Sequence, residues 1–232
     1  RVHAVDASGA YLTRSRPTGA DGAYEVHVPP GPDVTLEPTR IGDARVTPTT
    51  QATASDATVD LMLAASGTIE VRVVDEVGEP IPARIQALGG AGSSVPDGVP
   101  GTHGAPRVQG GRVDLAFEVD GIAELHAPVG TWRVVASHGY EFEIAEATAT
   151  LAAEGDRTTV DLVLARAVET TGVMCGDFHI HTRRSNDSGD DETYKIRGAV
   201  ADGLEIPVRS DHEYVADFSE VITRLGVEDW AY

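Results

Sequence analysis

A single cysteine, Cys175, excludes an internal disulfide and leaves the redox compartment open on cysteine usage alone. Positive charge is equally scarce. Lys195 is the only lysine, Asp and Glu outnumber Lys and Arg by 37 to 18, and the formal net charge is −19. A phosphate-backbone partner needs a basic face, so nucleic acid is excluded as a partner. No run approaches the roughly 20 apolar residues of a membrane span. Residue 1 reads as already inside a strand, without a charged and apolar leader. Localisation is therefore open, with a periplasmic or secreted setting favoured over a cytoplasmic one. The composition does supply cores: 41% of the 232 residues are apolar, enough for one large or two to three small globular domains.

The first 165 or so residues read as short alternating strands punctuated by Gly, Pro and Asp, the pattern of antiparallel all-β domains. They also repeat. Asp21-Gly22-Ala23-Tyr24-Glu25-Val26-His27-Val28-Pro29-Pro30-Gly31 recurs as Asp120-Gly121-Ile122-Ala123-Glu124-Leu125-His126-Ala127-Pro128-Val129-Gly130. Thr58-Val59-Asp60-Leu61-Met62-Leu63 recurs as Thr159-Val160-Asp161-Leu162-Val163-Leu164, at a similar spacing. Val5-Asp6 with Gly9 likewise matches Val74-Asp75 with Gly78. This predicts two copies of one sandwich module, residues 1–66 and 67–168, the first short of its opening strand. Asp-Gly makes a tight turn, the strand alternates in and out, and Pro-x-Gly ends it. Trp132 is expected to anchor the second core. Residues 89–111, rich in Gly and Pro, read as a long surface loop. His27 and His126 occupy equivalent repeat positions among apolar strand neighbours and are expected to face outward without a role.

The repeats resemble the carboxypeptidase regulatory-like module, which implies a small seven-stranded sandwich related in shape to transthyretin.

After residue 170 the periodicity changes. Val173 to His181 reads as a strand, Thr182 to Asp191 as a polar loop, and Glu192 to Asp202 as a helix stopped by Gly203. Leu204 to Val208 reads as a second strand despite Pro207. A second helix carries Phe218, Val221, Ile222 and Leu225 at i, i+3, i+4 and i+7, and Gly226 stops it. Strand, helix, strand, helix predicts parallel strands, and such folds gather reactive groups at the carboxyl ends of neighbouring strands.

Those ends carry the metal-capable side chains. His179 and His181, two apart on a strand, point to one side. Ser210-Asp211-His212 closes the next strand. If the strands are neighbours, His179, His181, Asp211 and His212 can share one centre, with Asp187 reaching in from the loop. Asp177 is placed to accept a ring N–H from one of the histidines and fix its tautomer. Imidazole–carboxylate sets suit zinc, manganese or iron. Arg183 and Arg184 offer guanidiniums to an anionic group or, equally, a solvated face. The acidic residues Asp187 to Glu192 read in part as a helix N-terminal charge cluster.

The segment Gly176 to Gly226 resembles the opening of a PHP domain, named for polymerase and histidinol phosphatase. The family's His-x-His motif matches His179 and His181, and its Thr-Asp-His motif matches Ser210, Asp211 and His212, with serine for threonine. The family's aspartate five residues beyond the second histidine is here Asn186, with Asp187 one later. Together with Ser137-His138-Gly139-Tyr140-Glu141-Phe142-Glu143 upstream, the arrangement resembles CehA/McbA-type metallohydrolases. The resemblance implies a distorted β/α barrel binding up to three divalent metals. His179, His181 and His212 would be ligands, Asp187 a further one, and Asp211 a ligand or catalytic group. The reaction implied is hydrolysis of a small ester-like substrate by metal-activated water. It also implies further ligands from later strands, so residues 169–232 are read as the first two β/α units of an unfinished barrel, binding metal weakly and turning nothing over.

Two other function classes fit parts of the sequence. Repeated sandwiches and an acidic surface suit a non-catalytic binding or adhesion protein with a degenerate barrel. An amidohydrolase-type enzyme also opens its barrel with His-x-His, although the Asp-His pair ending strand two fits the PHP pattern better.

Overall fold

The computed structural model describes residues 2–8, 10, 12–13, 18–30, 33–38, 49–51, 57–63, 65–89 and 112–232. Most of the loop expected over 89–111, and Gly9 and Gly31 of the repeats, lie outside the described residues.

Among the described residues, most of the regular structure is β-sheet. In the first part β1 (Val2–Val5), β2 (Val34–Pro38) and β3 (Thr49–Gln51) form an antiparallel sheet. Its small core of Val2, Ala4, Val34 and Leu36 is covered by Tyr24, Val26, Val28, Val59 and Leu61. The second part is a seven-stranded sandwich. One sheet has β4 (Ser66–Asp75) between β10 (Arg157–Leu164) and β7 (Ile122–Pro128). The other runs β6 (Arg112–Glu118), β5 (Ala83–Gly89), β8 (Gly130–Ser137), β9 (Ala145–Leu151). Alternating burial along β4 and β10 turns Ile69, Val71, Val73, Val160, Leu162 and Leu164 inward, where they meet Ile85, Val134 and Leu151 of the opposite sheet. Trp132 is 1% exposed in this core, its Nε1 donating to the Pro128 carbonyl at 2.7 Å.

The sandwich is not wholly antiparallel. β10 runs parallel to β4, with Arg157 opposite Thr68 and Leu164 opposite Asp75. The short β9–β10 connection carries the chain from one sheet to the other, and the last strand thereby returns beside the first in the same direction.

The repeat is visible in its turns. Asp6 Oδ1 accepts the backbone N–H groups of Ser8 and Ala10, and Asp75 Oδ1 accepts those of Val77 and Glu79. Asp21 caps Ala23 as Asp120 caps Ile122, each before a glycine at positive φ, 81° at Gly22 and 72° at Gly121. Strand pairing is not shared: Val2–Val5 pairs directly with Val34–Pro38, while the corresponding β4 and β8 of the second copy lie in different sheets. His27 and His126 are exposed, as their neighbours imply.

The last part consists of β11 (Gly176–Ile180), α1 (Glu192–Ala201), β12 (Ile206–Arg209) and α2 (Ser219–Leu225). β11 and β12 pair in parallel. Pro207 is tolerated because β12 has one partner only among the described strands. Asp191 caps α1 through the Tyr194 N–H, and Gly226 closes α2 in the left-handed region at φ 66°. Ile180, Ile196, Val200, Phe218, Val221 and Ile222 make the core between strands and helices. Trp230 contacts this core and that of the sandwich, and the Arg197–Glu118 ion pair at 2.6 Å ties α1 to β6. Among the described residues, no helix is long and apolar enough to cross a membrane.

Candidate metal centre

Parallel pairing brings the carboxyl ends of β11 and β12 side by side, with Ile180 opposite Arg209. His181 follows the first end and His212 lies three residues beyond the second, so both imidazoles hang over the same edge. Their ring centroids are 4.7 Å apart in an edge-to-face arrangement. Asp187, from the loop after β11, enters between them. Its carboxylate lies 2.9 Å from His181 Nδ1 through either oxygen, and Oδ2 lies 3.2 Å from His212 Nε2. One donor atom from each of His181, Asp187 and His212 falls within 4.8 Å of the others. The hydrogen bond from His181 holds the Asp187 carboxyl below the ordinary carboxylate range, more than its slight burial raises it, with His212 adding to the effect. Asp187 is thus ionised at neutral pH and acceptor-only, so Nδ1 of His181 carries a proton.

His179 stands beside His181, ring centroids 4.8 Å apart and planes tilted by 34°. The two imidazoles do share a side of the strand, but His179 stays outside the three-residue cluster. A register irregularity between Asp177 and Ile180 interrupts the regular ladder where His179 sits.

Two expected roles are corrected. Asp211 does not join the converging donors. Its side chain is fully buried, with Oδ1 accepting the Thr182 N–H at 2.5 Å and Oδ2 accepting the Thr182 hydroxyl at 2.7 Å and Arg209 Nε at 2.5 Å. Burial opposes its charge, but these hydrogen bonds outweigh it and the carboxyl sits at about 2. A carboxylate committed to three donors in a closed pocket is a structural tie rather than a ligand or catalytic group. Asp177 accepts the backbone N–H of His179 at 2.9 Å, not an imidazole N–H, because two residues along a strand its short side chain reaches the main chain first.

Several participants escaped the sequence reading. Arg209, with 7% of its side chain exposed, bonds Asp211, the Thr182 hydroxyl and Glu192. Ser185 is buried and its hydroxyl accepts the His212 N–H at 2.7 Å. No sequence signal marked Arg209, since an arginine at a strand end ordinarily keeps its head in water; once it is buried, its guanidinium requires acids nearby. Arg183 and Arg184 lie 3.7 and 3.5 Å from Glu192. Glu192 is therefore an ion-pair partner as well as a helix N-terminal charge. A cleft of about 720 Å³ adjoins the cluster, lined by His179, His181 and Asp187, by Tyr194 and Lys195 of α1, and by Phe117 of the sandwich.

No family description matches the chain, and no curated protein matches it. Among solved structures it is similar to the Bacillus anthracis TIE protein, at 13% identity and a TM-score of 0.32 over 71% of this chain. It is also similar to a streptococcal ancillary pilin, at 12% identity and a TM-score of 0.30 over 66% of it. The chain spans 30% and 50% of those two proteins, respectively. Likeness at this level assigns neither family nor function.

Proposed function

We propose that residues 169–232 open a PHP-type barrel in which His181, Asp187 and His212 hold a divalent metal ion of a hydrolase acting on a small ester-like substrate. The observation that carries this reading is the convergence of two imidazoles and one ionised carboxylate, donor atoms within 4.8 Å of one another, at the carboxyl ends of adjacent parallel strands.

The donor set fits such an ion. Ligands bound at about 2.0–2.2 Å to one first-row metal lie about 3–4 Å from each other, and the contacts of Asp187 with His181 and His212, 2.9 and 3.2 Å, are already near that range. To hold a metal through Nδ1, His181 would release the proton that now bonds Asp187. Two nitrogens and one oxygen suit zinc, manganese or iron, and three protein ligands leave positions for substrate and water. Such an ion, when bound, polarises a substrate oxygen and lowers the pKa of water. The protein's own part is placement. Asp187 supplies negative charge between the rings, Ser185 fixes the main chain at His212, and Asp211 ties the two strand ends together. His179 stands one ring away as a further imidazole.

Titration calorimetry of the chain with Mn(II) and with Zn(II) tests the metal site. One binding event is expected that disappears in the His181→Ala, His212→Ala double variant; equal heats for the two proteins would overturn it. Hydrolysis of nitrophenyl esters and phosphates by the gene product containing this chain is expected to stop with a chelator and return with metal. An active, chelator-insensitive protein would sink the hydrolase half of the proposal.

A further inference from the structure

The metal-site reading leaves open what sets the spacing of the two histidines, and the strands alone do not. β11 and β12 form a two-stranded sheet whose register shifts between Asp177 and Ile180, just before the residues that matter. A slip of one residue moves a strand end by roughly 3.3 Å and reverses its side chains. Either change would separate His181 from Asp187 and His212.

The geometry points to Arg209 as the positioning residue of the centre: its guanidinium locks the residue after His181 to the residue before His212. This inference rests on the reading of His181, Asp187 and His212 as the metal-holding set. Thr182 follows His181, and Asp211 precedes His212. The Asp211 carboxylate takes both the N–H and the hydroxyl of Thr182, stapling one strand end to the other. Arg209 spans that staple. Nε donates to Asp211 Oδ2 at 2.5 Å, while one terminal nitrogen donates to Thr182 Oγ1 at 3.0 Å and to Glu192 Oε1 at 3.1 Å. The last contact anchors the staple to the first residue of α1 as well. The rings of Tyr214 and Phe218 lie 5.2 and 5.6 Å from the guanidinium carbon and confine it. A planar fork with donors at fixed angles can meet three acceptors at once; an ammonium cannot hold the same geometry. Arg209 touches none of the three proposed ligands and acts on them only through their neighbours.

The test compares wild type, Arg209→Met, Arg209→Lys and Thr182→Val. Cobalt(II) affinity is read by titration, the Thr182 amide proton by NMR without metal, and stability by thermal unfolding. Changing a group that hydrogen-bonds a ligand directly weakens metal binding about 10–100-fold, and a lock one residue further out acts at the lower end of that range. That loss is expected for Arg209→Met and for Arg209→Lys, and a smaller one for Thr182→Val. The Thr182 amide, strongly hydrogen-bonded to Asp211, is expected far downfield in wild type and displaced upfield in both Arg209 variants. Wild-type cobalt affinity in a folded Arg209→Met protein overturns the inference, as does full rescue by lysine. Should Arg209→Met fail to fold, Thr182→Val decides in the same sense. If wild type binds no cobalt, the metal reading fails by itself. The amide then judges the lock: an unmoved Thr182 signal in the Arg209 variants overturns it, and a displaced one upholds it.

Discussion

Gly139 and Gly203 meet backbone to backbone across the seam between the sandwich and the α/β part. A Cβ on Gly139 would lie 3.0 Å from the Asp202 carbonyl oxygen and 3.2 Å from the Gly203 Cα, and one on Gly203 would lie 3.0 Å from the Gly139 Cα. Both residues also have positive φ, 59° and 74°. Gly139→Ala and Gly203→Ala are each expected to lose about 1–2 kcal/mol from the left-handed backbone alone, and more if the seam must part. Chemical denaturation measures the loss. Limited proteolysis is expected to cut more readily near residues 165–175 in these variants, and unchanged cleavage would argue that the seam does not depend on the contact.

Beside that contact, His138 is buried between the rings of Phe142 and Trp230, at centroid distances of 5.1 and 5.3 Å, with Nδ1 lacking a hydrogen-bond partner. Burial holds its pKa below the ordinary 6.5, although the backbone carbonyls of Pro82 and Ala201 and the Glu141 carboxylate pull upward, and Arg166 pushes down. The unfolded chain therefore binds the proton first as pH falls. The neutral ring's contribution to stability is complete above pH 6.5, declines as pH drops from 6.5 towards the folded value, and is constant below that. His138→Phe keeps the ring contacts and removes the titration. Its melting temperature is expected to fall less than that of wild type between pH 6.5 and 5, and parallel curves would show that His138 is not the group responsible.

Trp132 combines packing with a polar obligation. Replacing it with Phe removes part of the ring from the core and leaves the buried Pro128 carbonyl without its 2.7 Å partner. An unsatisfied buried acceptor costs about 1–3 kcal/mol, so Trp132→Phe is expected to lower stability by at least that much in urea titrations. A change within a few tenths of a kcal/mol would mean that water replaces the indole N–H.

What the sequence disclosed and what it hid divide along the range of the interactions. Turns were legible because Asp6, Asp75, Asp21 and Asp120 act on N–H groups two to four residues ahead. The helix stop at Gly226 and the buried stripe of Phe218, Val221 and Ile222 were legible for the same reason. His181 and His212 were nominated by their place at strand ends. Asp211 was misread because a His-flanking acid in a motif looks like a ligand, whereas its orientation is decided by Arg209 and Thr182, the latter 29 positions away in sequence. The parallel β4–β10 pair was hidden likewise, since alternation reports which face is buried and not which way a partner strand runs. The pairing of the first module is a matter of long-range contact that matching turns do not determine.

The position of the carboxylate offers the sharpest test of the centre. Asn186 and Asp187 are both exposed in the loop after β11, yet only Asp187 reaches between the imidazoles of His181 and His212. Asp187→Asn keeps the size of the side chain and removes its charge. Because Asp187 is the one anion among the three proposed ligands, removing its charge weakens the attraction for a divalent ion, and Mn(II) affinity is expected to fall at least about tenfold, in the range seen when metal-site groups are altered. Thermal stability should hardly move, since an exposed carboxylate paired with histidines contributes little to folding in water. Restoring the charge one residue earlier, in Asn186→Asp with Asp187→Asn, should not recover binding, because neighbouring loop residues project in different directions. Recovery by that swap would show that the loop rearranges around the ion, and that position 187 owes its place only to the metal-free packing of the two rings.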